Sequence, residues 1–199
     1  MDNERLSRQT AFLTEGDRLK TILRRTLLAD GSRRENSAEH SWHLALTAMV
    51  LREYAAEPLN FQHVLEMLAA HDLVEIDADD TFAYDVEGNS TRAHREQLAA
   101  DRLFGMLPGD LGEGLRALWE EFEAHQTPES RFANAVDRIQ PLLQNLATGG
   151  GTWRIYRPTR QQVLGRMDPV RTALPALWPF VQSAIEDVFS SLEGGHGET

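Results

Sequence analysis

AAHDLVEIDADD, residues 69–80, decides how this chain is read. A helix-like run ends on a histidine beside an aspartate, and Glu75, Asp77, Asp79 and Asp80 follow within eight residues. Five carboxylates packed so closely repel one another and call for a neutralising charge. On an α-helix each residue turns by about 100°. His71 and Asp72 then diverge by about 100°, while Glu75 falls about 40° from His71, between the two and one turn further on. A dication held by His71 and Asp72 would offset the repulsion and leave Glu75 near its open side, placed to handle a proton.

Two ligands are too few for tight binding, so the sequence must supply others. The chain has no cysteine, which excludes thiolate sites and leaves imidazole and carboxylate. His40 stands at the start of a helical pattern in RRENSAEHSWHLAL, among polar residues, and Asp137 lies in ANAVDRIQPLL with apolar neighbours. An acid in such a setting is seldom buried without a partner. His40, His71, Asp72 and Asp137 together make a two-histidine, two-carboxylate set that suits a transition-type dication better than calcium. Taken singly, each has a plainer reading: His40 as a helix-start residue beside Glu39, Asp137 as the partner of Arg131 or Arg138, Glu75 as a solvated helix-end acid.

Around these residues the pattern is helical. Thr14 and Asp17 resemble a capping box opening a helix over 16–28, which Asp30-Gly31-Ser32 breaks. Ser37 is placed to cap a second helix, 38–56, with Trp42, Leu46, Met49 and Val50 inward. Asn60 caps a third, 61–76. Residues 86–91 read as loop, 91–107 and 111–125 as helices, and a long helix opens at Thr127-Pro128 and runs to 147, with a kink expected at Pro141. GGG at 149–151 is a break. Helices follow within 158–193, and the tail 194–199 reads as disordered. With no sustained alternating pattern, the fold class expected is all-α, a single-domain helical bundle over 1–199.

A formal charge of −11 argues against a nucleic-acid polymer as partner, since phosphate backbones need clustered cations. Hydrophobic stretches such as 44–51 are too short to span a bilayer, and the polar N-terminus has no signal core. A cytoplasmic protein is expected.

The motifs ENSAEHSWHLAL, AAHDLVEIDADDTFAYD and AVDRIQPLLQN resemble the HD-domain superfamily of metal-dependent phosphohydrolases, whose pattern is H…HD…D on a helical fold. The match is best in the branch of the bacterial 5′-deoxynucleotidases and HD domain-containing protein 2, and it covers roughly residues 20–145. The resemblance implies His40, His71, Asp72 and Asp137 as ligands of one divalent ion (manganese, cobalt, iron, nickel, zinc or magnesium). It implies Glu75 as general acid/base, Asp80 as the sugar contact, and Arg24, or the equally close Arg25, as the phosphate contact. A tryptophan expected just after that arginine is absent, the segment reading RRTLL.

The activity implied is hydrolysis of a nucleoside 5′-monophosphate, deoxynucleotides foremost, by attack of a metal-bound water on phosphorus. Another small phosphate ester, a cyclic nucleotide or a (p)ppGpp-type substrate keeps the same site, and a non-catalytic metal-stabilised interaction module is a different class. Arg24 and Arg25 also fit a basic stripe pairing with Glu15 or Asp17. His43, His63, His94 and His125 read as structural or solvated, and Trp42, Trp119, Trp153 and Trp178 as core or interface. Asp77, Asp79 and Asp85 have no role assigned. A homodimer is expected from Leu177, Trp178, Phe180 and Val181.

Overall fold

A computed structural model describes residues 3–194, without the side chains of residues 86, 87 and 89. The elements run α1 (Asn3–Gly16), a 3-10 turn (Asp17–Thr21), β1 (Leu23–Leu27), β2 (Arg34–Asn36), α2 (Ser37–Leu51), α3 (Phe61–Ala70), α4 (Glu75–Ala78), α5 (Val86–Gly105) and α6 (Gly109–Ala124). They continue with α7 (Pro128–Ala147), α8 (Gly151–Tyr156), α9 (Arg160–Arg166), α10 (Asp168–Ala173) and α11 (Trp178–Gly194). The class is all-α, as expected, with one small hairpin.

That hairpin replaces the helix expected over 16–28. β1 and β2 are antiparallel, Leu23 opposite Asn36 and Leu27 opposite Arg34, with an irregular register between. Thr21, Ile22 and Thr26 are β-branched and favour the extended chain. Gly31, at φ 72°, turns the loop, helped by the Gly31 N–H on the Leu28 carbonyl (2.8 Å) and the Ser32 N–H on Asp30 Oδ1 (2.9 Å). The hairpin matters to the site. Strand residues alternate between faces, so Arg24 is buried while Arg25 points outward.

α2 is capped by Asn36, one residue before the expected Ser37. Its side chain accepts from the Glu39 N–H and Glu39 answers on the Asn36 N–H. The buried face carries Ser37, His40, Leu44, Thr47 and Ala48. The expected inward residues point out: Trp42 is 67% exposed and Val50 60%, with Leu46 and Met49 beside them. Both faces of this helix carry large apolar residues, so periodicity alone could not choose. The face holding His40 goes inside because partners for its imidazole wait there.

Elsewhere local signals hold. Asn60 caps α3, Thr127 caps α7 in a reciprocal pair with Ser130, and Thr159 caps α9. Gly149 and Gly150 take positive φ at the break. Two further boundaries differ. α3 stops at Ala70 instead of running to 76. α5 begins at Val86, with Asp85 accepting from the Gly88 N–H, so 86–91 is helical. α1, α8 and α10 were not anticipated.

Two apolar clusters result. Leu44, Met67, Phe132, Leu142, Trp153 and Ile185 belong to the larger, which joins α2, α3 and α7 to the C-terminal helices. Phe12, Leu19, Val74, Ile76, Leu103 and Trp119 belong to the smaller. The chain crosses from one to the other at 70–74, which puts the acidic run in the seam. Val181 is buried, and Leu177 and Trp178 pack on the larger cluster, leaving Phe180 as the exposed member of the expected dimer face. Among the described residues, no helix is long and apolar enough to cross a membrane. Gly194 closes α11, and the rest of the expected disordered tail, 195–199, lies outside the described residues.

Candidate functional site

Three elements converge on the seam. His40 comes from the first turn of α2, His71 and Asp72 from the turn after α3, and Asp137 from the middle of α7. One ligand atom each from His40, His71 and Asp72 lies within 4.8 Å of the others. Asp137 Oδ1 sits 2.9 Å from His40 Nε2. All four are buried.

Both imidazoles are held by their other nitrogen. His40 Nδ1 donates to Gln140 Oε1 (2.9 Å) and His71 Nδ1 to the Leu68 carbonyl (2.9 Å). Each ring therefore turns Nε2 to the common centre, as metal-ligating histidines do. His71 Nε2 lies 3.0 Å from Asp72 Oδ1, yet in a direction that leaves it without a hydrogen bond. A buried nitrogen with no partner, aimed at two carboxylates and a second imidazole, fits a bound dication.

The electrostatics agree. Burial and Arg24 depress His40, but Asp137, Glu35 and Asp72 outweigh them and raise its pKa to about 9. His71 is raised too, Asp72 overcoming its burial. Asp72, despite burial, is lowered to about 2 by His71 and Arg24. Asp137 falls well below the usual carboxylate range because Arg138 and His40 outweigh its burial. Without a metal, the carboxylates favour the protonated form of both imidazoles.

Residues 71–74 leave the α-helix, and α4 starts afresh at Glu75. The Leu73, Glu75, Ile76 and Asp77 N–H groups bond three residues back, a 3-10 spacing that stacks residues i and i+3. Glu75 is therefore stacked over Asp72, not fanned between Asp72 and His71. Its Oε2 accepts from Ser37 Oγ at 2.6 Å. Burial first, and then Asp72, push its pKa well above normal against the pull of Arg24. Arg24 Nη1 faces Asp72 (3.1 Å), Asp80 (3.6 Å) and Glu75 (3.8 Å), while its Nε is buried without a partner. Burial would weaken its charge, but Asp72, Glu75 and Asp80 more than restore it. Asp80 is itself raised, by burial ahead of the opposing Arg24.

Asp79 shapes this corner. At φ 64°, ψ 154° it occupies a region nearly reserved for glycine, and that turn ends α4 just before Asp80. Asp77 pairs with Arg102. Arg25 lies 6.0 Å from the Tyr156 ring centroid.

Several residues escaped the sequence reading. Glu35 Oε1 accepts from Gln140 (2.8 Å) and Gln144 (2.7 Å), and Gln140 Nε2 also reaches His43 Nδ1 (3.0 Å). Gln140 and Gln144 follow Asp137 by three and seven residues, a polar stripe on one helical face that was legible. Ser37 was read only as a cap. His63 pairs with Glu121, and His94 and His125 are exposed, though His125 borders the site.

A cavity of about 140 Å³ opens on His71, Asp72, Glu75, Asp80, Asp137 and Arg138. Beside it lies a chamber of about 70 Å³ bordered by Arg25, Phe82, Tyr84, Leu142 and Trp153.

The sequence profile of the HD domain family matches residues 16–178. Among solved structures, a predicted metal-dependent phosphohydrolase from Magnetospirillum magnetotacticum MS-1 is 46% identical, covers 94% of each chain and superposes with a TM-score of 0.89. A conserved hypothetical protein from Pyrococcus furiosus shares the fold at a TM-score of 0.59 and 17% identity, covering 91% of this chain and 99% of that one. Among curated proteins, the 5′-deoxynucleotidase HDDC2 of Mus musculus is 29% identical over 110 residues, 55% of this chain and 54% of that protein. The Homo sapiens protein of the same name is 29% identical over 112 residues, 56% and 53%. The chain thus spans about half the length of the curated relatives it matches.

Proposed function

This chain belongs to the HD domain family, and from that premise we propose that it is a metal-dependent phosphohydrolase releasing phosphate from nucleoside 5′-monophosphates, deoxynucleotides foremost. The observation that carries the reading is the convergence of His40, His71 and Asp72, with Asp137 on His40 and His71 Nε2 buried without a hydrogen bond. The names borne by the Magnetospirillum, mouse and human relatives support the reaction class and the substrate.

His40, His71, Asp72 and Asp137 would hold the ion, and their nitrogen and oxygen donors suit manganese, cobalt, iron, nickel or zinc, with magnesium a poorer match to two imidazoles. A divalent ion there supplies a Lewis acid toward phosphate oxygen and lowers the pKa of water. The remaining chemistry belongs to the side chains. Burial and Asp72 oppose the ionisation of Glu75 and raise its pKa well above the usual carboxylate range, which favours the protonated acid. Ser37 occupies Oε2, which leaves Oε1 to pass that proton to the departing ester oxygen. Arg24, charged and fixed, meets the charge that develops on phosphorus, and its free Nε is a donor in reserve. Arg24 takes this role over Arg25, which strand alternation turns outward. Asp80 borders both cavity and chamber and is placed to accept from a sugar hydroxyl.

The test is phosphate release across ribo- and deoxynucleoside monophosphates with manganese or cobalt, deoxynucleotides being the expected best substrates. Turnover of cyclic nucleotides or pyrophosphate esters alone would replace the substrate. No turnover by metal-loaded protein would leave a metal-stabilised helical module.

We also propose a homodimer, formed through Trp42, Leu46, Met49 and Val50 on the outer face of α2 in place of the C-terminal residues. Contiguous exposed apolar surface of this kind marks association sites. Leu46→Glu should shift the particle to monomer mass in light scattering, and an unchanged mass would exclude this face.

A further inference from the structure

The arginines around the site are not equivalent. Arg24 shares its charge with Asp72, Glu75 and Asp80. Arg138 is paired with Asp137. Arg92 bonds Glu96 at 2.6 Å and faces Glu123 at 3.5 Å. Arg166, from α9, is different: among the described residues it makes no hydrogen bond and no ion pair.

Like Arg138, whose charge Asp137 takes up, it stands between three spaces. Arg166 borders the acidic cavity, the adjoining chamber, and an open groove formed with Ala83, Tyr84, Gln162 and Gly165. It stands at the neck where all three meet. Burial and the neighbouring Arg138 lower its pKa to about 10, so it stays charged at neutral pH while its surroundings disfavour that charge. A half-buried cation without a counter-ion is costly, and the cost falls when an anion arrives. In a chain of net charge −11, a phosphate dianion approaching the acidic cavity needs such a local cation.

We propose that Arg166 binds the phosphate of the substrate at this neck, so that a helix beyond the last of the four candidate metal ligands completes the site. The proposal rests on the phosphohydrolase reading. A guanidinium presents paired N–H donors that match two phosphate oxygens. The short stem of Gln162, one turn earlier on α9, borders the groove but not the two inner spaces, so Arg166 is the α9 side chain that reaches inward. Arg24 would then act on the phosphate from the carboxylate side and Arg166 from the entrance side.

The experiment measures binding of inorganic phosphate by calorimetry to the manganese-loaded protein, together with KM and kcat for dAMP, in wild type, Arg166→Gln and Arg166→Lys. Arg166→Gln should weaken phosphate binding and raise KM by about ten- to a hundredfold, the loss of a charge-assisted pair, with manganese affinity unchanged. Arg166→Lys should recover part of the loss, since it keeps the charge but not the fork. Phosphate affinity within twofold of wild type in Arg166→Gln overturns the proposal, as does failure of the wild type to bind phosphate. Equal weakening of manganese and phosphate binding in both variants assigns Arg166 a structural role and also overturns it. If phosphate binds through Arg166 while no ester is turned over, the anion site stands and the phosphohydrolase reading falls.

Discussion

Replacing Gln140 by leucine tests how the imidazole of His40 is aimed. The amide of Gln140 spends both N–H groups, on Glu35 Oε1 at 2.8 Å and His43 Nδ1 at 3.0 Å. Its oxygen is left to accept from His40 Nδ1 at 2.9 Å, which sends Nε2 towards the other ligands. Leucine fills similar volume and supplies none of this. Outer hydrogen-bond partners of metal-binding histidines change affinity by about 10–100-fold, or roughly 1.4–2.8 kcal/mol at 1.4 kcal/mol per decade. Stability should drop by less than three lost bonds would suggest. Glu35 Oε1 keeps Gln144, Glu35 Oε2 lies 3.5 Å from His40 Nδ1 and can take its proton, and half-buried His43 reaches water. One unsatisfied buried group costs about 1–3 kcal/mol, and that range is expected for Gln140→Leu. Chelated protein followed by thermal melting gives the stability term, and competitive titration with a manganese indicator gives the affinity. Manganese affinity within twofold of wild type would refute the idea that Gln140 orients His40.

Glu75→Gln should lower kcat by about 10²–10⁴-fold, the usual worth of a positioned proton donor, while manganese still binds; kcat within threefold of wild type at saturating metal would remove Glu75 from that role. The metal-free protein should lose stability as pH rises from 6.5 towards 9. The folded pKa of His40 is raised from 6.5 to about 9, so its contribution is complete below 6.5 and gone above 9. Manganese affinity should climb over the same interval as that proton leaves, and a flat affinity from pH 6.5 to 9 would contradict it. Asp72, lowered from 3.8 to about 2, contributes above 3.8 and loses its effect as pH falls through 2, so acid melts of chelated protein should steepen there. Asp79→Gly should raise the melting point by the equivalent of about 1 kcal/mol. Release of roughly 1–3 kcal/mol of strain outweighs about 0.5–1 kcal/mol of added chain entropy, and an unchanged or lower melting point would show that Asp79 is unstrained.

Local signals were legible where the chemistry is local. Asn60, Thr127 and Thr159 cap their helices because each side-chain oxygen needs only an N–H three residues on. What sequence could not choose was settled by partners distant in the chain. Residues 16–28 have apolar spacing compatible with a helix, yet pairing with 34–36 makes 23–27 extended. That switch separates Arg24 from Arg25. The inversion of α2 has the same origin: Trp42, Leu46, Met49 and Val50 are the more apolar face, but the opposite face places His40 against Asp137 and Gln140. The inner face is not purely polar, because Leu44 and Ala48 join the larger apolar cluster beside His40.

The four candidate ligands were readable because their residue types carry the chemistry, and Gln140 and Gln144 could have been found from their spacing after Asp137, whereas Glu35 and Arg166 were not readable, since glutamate and arginine have many uses. The acidic run that raised the question of neutralisation turns out to be divided. Asp77 is answered by Arg102, and Asp79 serves the backbone at positive φ. Asp72, Glu75 and Asp80 share a single guanidinium, that of Arg24. One cation cannot balance three ionised acids, so Glu75 and Asp80 are driven toward their neutral forms while His40 and His71 hold extra protons. Protons therefore occupy the part of the charge balance that a dication would take. Ion binding must expel the protons of His40 and His71, yet the same acidic surroundings that hold those protons would attract the ion. The proton on Glu75 follows from burial as well as from Asp72, so neutralising Asp72 removes only one of its causes. The residue proposed to protonate the leaving oxygen can thus remain protonated beside an ion that has displaced the protons of its neighbours.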